Sequence, residues 1–263
     1  MGTVALACST IGRGSPVLLI HGLGSSQRDW EAQIPALAPR HRVVSFDQRG
    51  HGKSAPVSAP YTMRDLAADA AAVIRSHGAA PCHVVGLSLG GMVAFQLALD
   101  EPGLVRSLVI VNSGPEVVPR AAKEHVAIFA RRVLSRLLPM RWLGALLSRR
   151  LFPHENQSKL RADFVARFAE NHKPSYLRAV SAILGWSVAH RLESLAQPVL
   201  VVSGDRDYTP TARKRLYVER LPRATMEIVK DSGHATPVDQ PGEFNRLVLD
   251  FLGRVDGETI AAE

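Results

Sequence analysis

Ser88 stands in Gly86-Leu87-Ser88-Leu89-Gly90, after the apolar run His83-Val84-Val85 and before a helix-like run from Leu89 to Leu99. Between strand and helix, a G-x-S-x-G pattern describes a turn sharp enough to lift one hydroxyl clear of a sheet edge. Crowding at such a turn permits only minimal side chains at 86 and 90, and Gly91 lets the following helix pack closely. The turn also aims the Leu89 N–H at whatever Ser88 attacks, where a helix N-terminus favours developing negative charge. An inert strand-to-helix turn needs the same glycines, so the pattern requires partners.

A serine hydroxyl is a weak nucleophile without a base, and the base needs an acid to orient it. Among ten histidines, His234 in Asp231-Ser232-Gly233-His234 follows the strand-like run Thr225 to Val229. A loop there can carry an imidazole to the C-terminal edge of a sheet. Ser203-Gly204-Asp205-Arg206-Asp207 follows the apolar run ending at Val202, so either Asp205 or Asp207 can reach that edge. The commoner use of such an aspartate is to bond its own turn. Chain order brings serine, aspartate and histidine together, each after a different strand, at the edge where open α/β sheets bind ligands. The fourth element, His21-Gly22-Leu23-Gly24-Ser25-Ser26, follows Val17 to Ile20. Its glycines let the Leu23 N–H approach a carbonyl oxygen, and with Leu89 it forms a two-donor oxyanion hole, each donor worth roughly 3 kcal/mol. A phosphate loop is excluded, because neither Lys-Ser/Thr nor G-x-G-x-x-G spacing is present. His21 itself reads as structural.

The elements that must hold these loops alternate. Thr3 to Ile11 reads as a strand, then Val17 to Ile20, Arg42 to Phe46, His83 to Val85 and Leu104 to Val111. Thr62 to Ser76 reads as a helix, with Met63, Leu66, Ala70, Val73 and Ile74 on one face and a Thr62/Asp65 capping pair. Strand Val199 to Val202, helix Thr211 to Leu221, strand Thr225 to Val229 and helix Pro241 to Leu252 complete the pattern. Short apolar strands separated by helices imply a mostly parallel, doubly wound α/β sheet. The alternation stops at Gly114 and resumes at Pro198. Between them, Val126 to Leu138 and Trp142 to Phe152 are apolar runs interrupted by arginine at helical spacing. The expected organisation is therefore a core of 1–113 and 198–263 with a helical cap over 114–197.

With these motifs in hand, the chain resembles the α/β-hydrolase superfamily, in particular its small capped esterase-like members such as carboxylesterases, acyl-carrier methyl ester esterases and enol-lactonases. The likeness rests on His21 to Ser25, on Asp47-Gln48-Arg49-Gly50-His51-Gly52-Lys53-Ser54, on Gly86 to Gly90, on Gly204 to Asp207 and on Gly233-His234. It implies a Ser88–His234–Asp207 triad, because the family's acid usually stands three residues after the loop glycine. It implies that Asp47 to Ser54 braces the oxyanion loop, and that the cap follows the sixth strand. Two departures stand out: the N-terminus leaves room for one strand or a truncated pair before Val17, and Gln48 replaces a commoner apolar residue.

Composition narrows the rest. A chain of 263 residues, 46% hydrophobic and 21% charged, builds one sizeable core. Cys8 and Cys82 make no disulfide framework, no signal peptide is evident, and no run reaches the roughly 20 apolar residues of a membrane span, so the expected location is cytoplasmic. Histidines and cysteines lack metal-ligand spacing, so neither metal nor cofactor is expected. Residues 114–197 carry 14 Lys+Arg against 6 Asp+Glu, the whole of the +8 net charge. That segment reads as a lid with solvated arginines, as a dock for an acidic acyl-carrier protein, or as a membrane-facing surface; its aromatics argue against nucleic acid. Leu87, Trp142, Leu143, Leu146 and Trp186 are expected to line an acyl pocket. Serine at the turn excludes the epoxide and halide chemistry of aspartate nucleophiles. It leaves hydrolysis of small-molecule carboxylic esters with short to medium acyl chains, and alternatively carbon–carbon cleavage of diketone-like acids or esters carried on acyl-carrier protein.

Overall fold

The structure is a computed structural model that describes residues 4–57 and 59–257. One sheet of seven strands runs in the order β1-β3-β2-β4-β5-β6-β7. These are β1 (Cys8–Ile11), β2 (Ser15–Ile20), β3 (His41–Phe46), β4 (Cys82–Leu87), β5 (Val105–Val111), β6 (Val199–Gly204) and β7 (Ala224–Val229). Only β1 pairs antiparallel, against β3; each later pairing is parallel. Of the expected first strand, Thr3 lies outside the described residues and the ladder starts at Cys8.

Period-two alternation sorts the strand side chains onto two faces. Leu18 and Ile20 of β2 join Val84, Leu108 and Val201 in one core, while Val17 and Leu19 join Val85, Val109 and Leu200 in the other. Helices α2 (Met63–Ser76) and α3 (Leu89–Asp100) close the first face. The short α1 (Ile34–Leu37) and the last helix, here α10 (Pro241–Asp256), close the second. The expected cap at Thr62 is present: its hydroxyl accepts from Asp65 N–H, and the Asp65 carboxylate accepts from Thr62 N–H at 2.7 Å.

Between β5 and β6 the chain forms α4 (Ala122–Leu137), α5 (Met140–Leu151), α6 (Ser158–Ala169) and α7 (Lys173–Ile183). The helical insertion thus follows the fifth strand, not the sixth, because the described chain has a single strand before β2. Met140, Leu143, Phe168, Tyr176 and Val180 give it a small core of its own. Helix α4 is held loosely: Ser135 is its one buried residue. Helices α8 (Thr211–Val218) and α9 (Thr236–Asp239) flank β7 and lead into α10.

Candidate active site

Ser88 sits between β4 and α3 with φ 53° and ψ −110°, a left-handed conformation that an L-residue adopts only under constraint. The expected crowding is there. A Cβ on Gly86 would lie 2.3 Å from the Gly90 carbonyl oxygen, and one on Gly90 would lie 2.0 Å from that of Ile20. The Leu23 loop packs against the turn, with the Gly22 Cβ position 3.7 Å from Ser88 Cβ. Among the described residues the Leu23 and Leu89 N–H groups donate to no protein acceptor, so both are available to an oxyanion.

That loop is braced as the resemblance implies. His21 is buried, and burial, then the neighbouring His51, pulls its pKa down to about 3. It is therefore neutral: Nδ1 donates to the Gly22 carbonyl at 2.7 Å, and Nε2 accepts from the Gln48 N–H at 3.0 Å. The unusual Gln48 closes the clasp, its amide donating to the His21 carbonyl at 2.7 Å. Asp47 accepts from Gln27 N–H and Lys53 N–H, each at 2.8 Å.

On the opposite side, His234 Nδ1 faces Asp207 Oδ1 at 2.7 Å. Asp205 is turned elsewhere, accepting the Ser232 N–H at 3.1 Å and so bracing the loop that carries His234. Asn112 ties the loops together from the end of β5. Its amide donates to the carbonyls of Gly233 and His234, and its Oδ1 accepts the Gly204 N–H. Next to it, the Ser113 hydroxyl donates to the Ser88 carbonyl at 2.6 Å. The loops that carry Ser88, Asp207 and His234 are thereby fixed through two adjacent residues.

Two features of this edge have no precedent in the sequence reading. First, Lys214 of α8 is buried and forms an ion pair with Asp207 Oδ2, while also donating to Ser203 Oγ at 2.8 Å and the Thr209 carbonyl at 3.1 Å. Burial pushes the Asp207 carboxyl up, but His234 and Lys214 outweigh it and hold the pKa at about 2. The depressed value means that this carboxylate stabilises the fold above its unfolded pKa, near ~4, and that the contribution drains away as pH falls towards 2. Lys214→Met is expected to cost about 3 kcal/mol at pH 7. Without Lys214 the folded pKa of Asp207 moves back up towards its unfolded value, so thermal unfolding followed from neutral to acid pH should show a smaller acid-linked loss of stability than in the parent; an unchanged acid profile would contradict the pairing.

Second, the Tyr208 hydroxyl lies 3.2 Å from His234 Nε2, with the two rings tilted by 31° at 4.3 Å between centroids. Because Nδ1 gives its proton to an acceptor-only carboxylate, Nε2 carries the lone pair and Tyr208 donates to it. Among the described residues no hydrogen bond joins His234 to Ser88 Oγ. A hydrogen bond between Ser88 Oγ and His234 Nε2 would require the imidazole to exchange Tyr208 for the serine.

The expected pocket is largely corrected. Trp142 is 68% and Leu146 48% exposed, so neither lines a cavity. The reason is helical phase: α5 buries Met140, Leu143, Gly144 and Ser148, which turns 142, 146 and 149 outward. Leu143 packs inside the insertion, and Leu87 faces the α10 side of the sheet. Trp186 donates to Gln96 Oε1 at 2.8 Å and borders a cavity of about 520 Å³ with Tyr61 and His190, lined by none of Ser88, Asp207 and His234. Among the described residues no cluster of His, Cys, Asp and Glu could hold a metal, and no helix is long and apolar enough to cross a membrane.

Residues 15–241 match the family model described as the alpha/beta hydrolase fold. The chain belongs to that family. Its chemistry is accordingly hydrolysis. It is 33% identical over 256 residues, 95% of its length and 96% of the relative's, to a Variovorax paradoxus protein named "Putative carbamate hydrolase RutD". Among solved structures it matches the Burkholderia xenovorans enol-lactonase in fold, with TM-score 0.87 at 24% identity over 95% of this chain and 96% of that one. Est816, described as an N-acyl homoserine lactone degrading enzyme, is similar at 29% identity and TM-score 0.77, covering 94% and 97% of the two chains.

Proposed function

We propose that this hydrolase cleaves carboxylic esters of short to medium acyl chains through an acyl-enzyme on Ser88. The observation that carries the reading is the Asp207–His234 pair at 2.7 Å, on loops that Asn112 and Ser113 tie to the strained turn at Ser88. Ser88 Oγ attacks the ester carbonyl as its proton passes to His234 Nε2, and Asp207 stabilises the resulting imidazolium. The Leu23 and Leu89 N–H groups hold the oxyanion. Collapse of the tetrahedral adduct expels the alcohol, which takes the proton from His234. A water molecule, deprotonated by the same imidazole, then attacks the acyl-enzyme; the acid leaves and Ser88 recovers its proton.

A second reading has its own support. The 33% identical relative is named for carbamate hydrolysis, and a carbamate carbonyl fits the same nucleophile and oxyanion donors. A panel of p-nitrophenyl esters from acetate to dodecanoate, run beside a carbamate with the same leaving group, separates the two. Multiple turnovers on the shorter esters, with carbamate giving at most a slow burst, are expected. Sustained carbamate turnover with slower esters would favour the second reading, and no turnover of either would remove the first.

A further inference from the structure

We infer that Tyr208 is a positioning residue that competes with Ser88 for His234 Nε2 and holds the imidazole off the serine in the resting enzyme. This role deepens the proposed reaction, resting on Ser88 as nucleophile and His234 as base. Consecutive residues grip the two nitrogens of one ring. Asp207 Oδ1 lies 2.7 Å from Nδ1, and the Tyr208 hydroxyl lies 3.2 Å from Nε2. The carboxylate only accepts, so Nδ1 carries the proton and Nε2 is left with one in-plane lone pair. That lone pair serves a single donor well. While the phenol occupies it the Ser88 hydroxyl does not, and among the described residues no hydrogen bond joins Ser88 Oγ to His234.

The turn that presents the phenol is fixed from behind. Thr209 donates to the Asp207 carboxylate from its N–H at 3.1 Å and from its hydroxyl, Lys214 donates to the Thr209 carbonyl at 3.1 Å, and Pro210 follows. The Tyr208 ring then lies against the imidazole at 4.3 Å between centroids, so ring contact and hydrogen bond act on the same group. The two grips differ in how easily they release. Asp207 has a fully buried side chain held by Lys214 as well as by His234. Tyr208 is 47% exposed, and among the described residues its hydroxyl has no hydrogen-bond partner besides Nε2. A phenol that turns outward exchanges Nε2 for water at little cost, whereas a buried carboxylate has no such substitute. The imidazole is therefore freed at Nε2, the nitrogen that faces the proposed proton transfer, while Nδ1 stays held.

Tyr208→Phe tests this, since it keeps the ring against the imidazole and removes the hydroxyl. The second-order rate at which a fluorophosphonate labels Ser88 is expected to rise roughly 2- to 10-fold, the range spanned by one hydrogen bond between uncharged groups. In ¹⁵N NMR of histidine-labelled protein, the His234 Nε2 resonance, assigned by its loss in His234→Gln, should move towards that of an imine nitrogen with no donor. A phenol that only packs against the ring would leave that resonance in place. Unchanged labelling would mean that Tyr208 does not compete with the serine, and slower labelling that its hydroxyl assists the imidazole; either overturns the inference, as does an unmoved Nε2 resonance. Failure of the underlying reading looks different: the parent leaves Ser88 unlabelled, while Nε2 still responds to the substitution.

Discussion

Ser88→Ala is expected to lower ester turnover by about 10⁶-fold, to the level left by oxyanion donors and binding alone. The size follows from the proposed roles: among the described residues Ser88 occupies a strained turn beside the unbonded Leu89 N–H, and His234, the proposed base, is held by Asp207 at 2.7 Å. The fold should survive, because Ala at φ 53° carries the same backbone constraint as Ser and the side chain makes no hydrogen bond that packing requires. Initial rates on p-nitrophenyl butyrate, with thermal midpoints agreeing within a few degrees, check both halves. Turnover that persists would move the nucleophile to another residue.

Asp207→Asn is expected to cost about 10⁴-fold in kcat, since an amide that donates to Nδ1 leaves the imidazole in the wrong tautomer. It also leaves Lys214 buried beside a neutral group, so its thermal midpoint should fall. Asp205→Asn is the control. Asp205 uses one oxygen to accept the Ser232 N–H, a role an asparagine carbonyl keeps, and a loss under about 10-fold is expected. The reverse ranking would mean that the loop presents the other carboxylate during catalysis.

How these residues could be found without coordinates differs from one to the next. The two glycines around Ser88 announce the turn, because the backbone there tolerates no Cβ and the sequence must record it. The strands were legible for a similar reason: β2, β4, β5 and β6 are buried on both faces, which demands near-continuous apolar runs. Asp205 and Asp207 are chemically equivalent as letters, and only the resemblance ranked them. The hydrogen bonds to Ser232 and His234 give the physical distinction.

Lys214 and Tyr208 were missed because each acts through a long-range contact. A lysine among Arg213, Arg215 and exposed neighbours on α8 reads as a solvated face, yet its Nζ is drawn inward by Asp207, Ser203 and Thr209. The pocket failed on phase. Trp142 and Leu146 belong to an apolar run whose buried side is set by Phe168 and Tyr176, on helices that the run itself does not mention.

Asn112 carries a consequence for change over time. One side chain, in the left-handed conformation at φ 45° that asparagine tolerates better than most residues, measures the separation of the loops at Gly204 and Gly233. Changes in the insertion after β5 can accumulate as long as the amide still meets Gly204, Gly233 and His234. A swap that displaces this one amide would release the Asp207 and His234 loops together, while Ser113 would still hold the turn at Ser88.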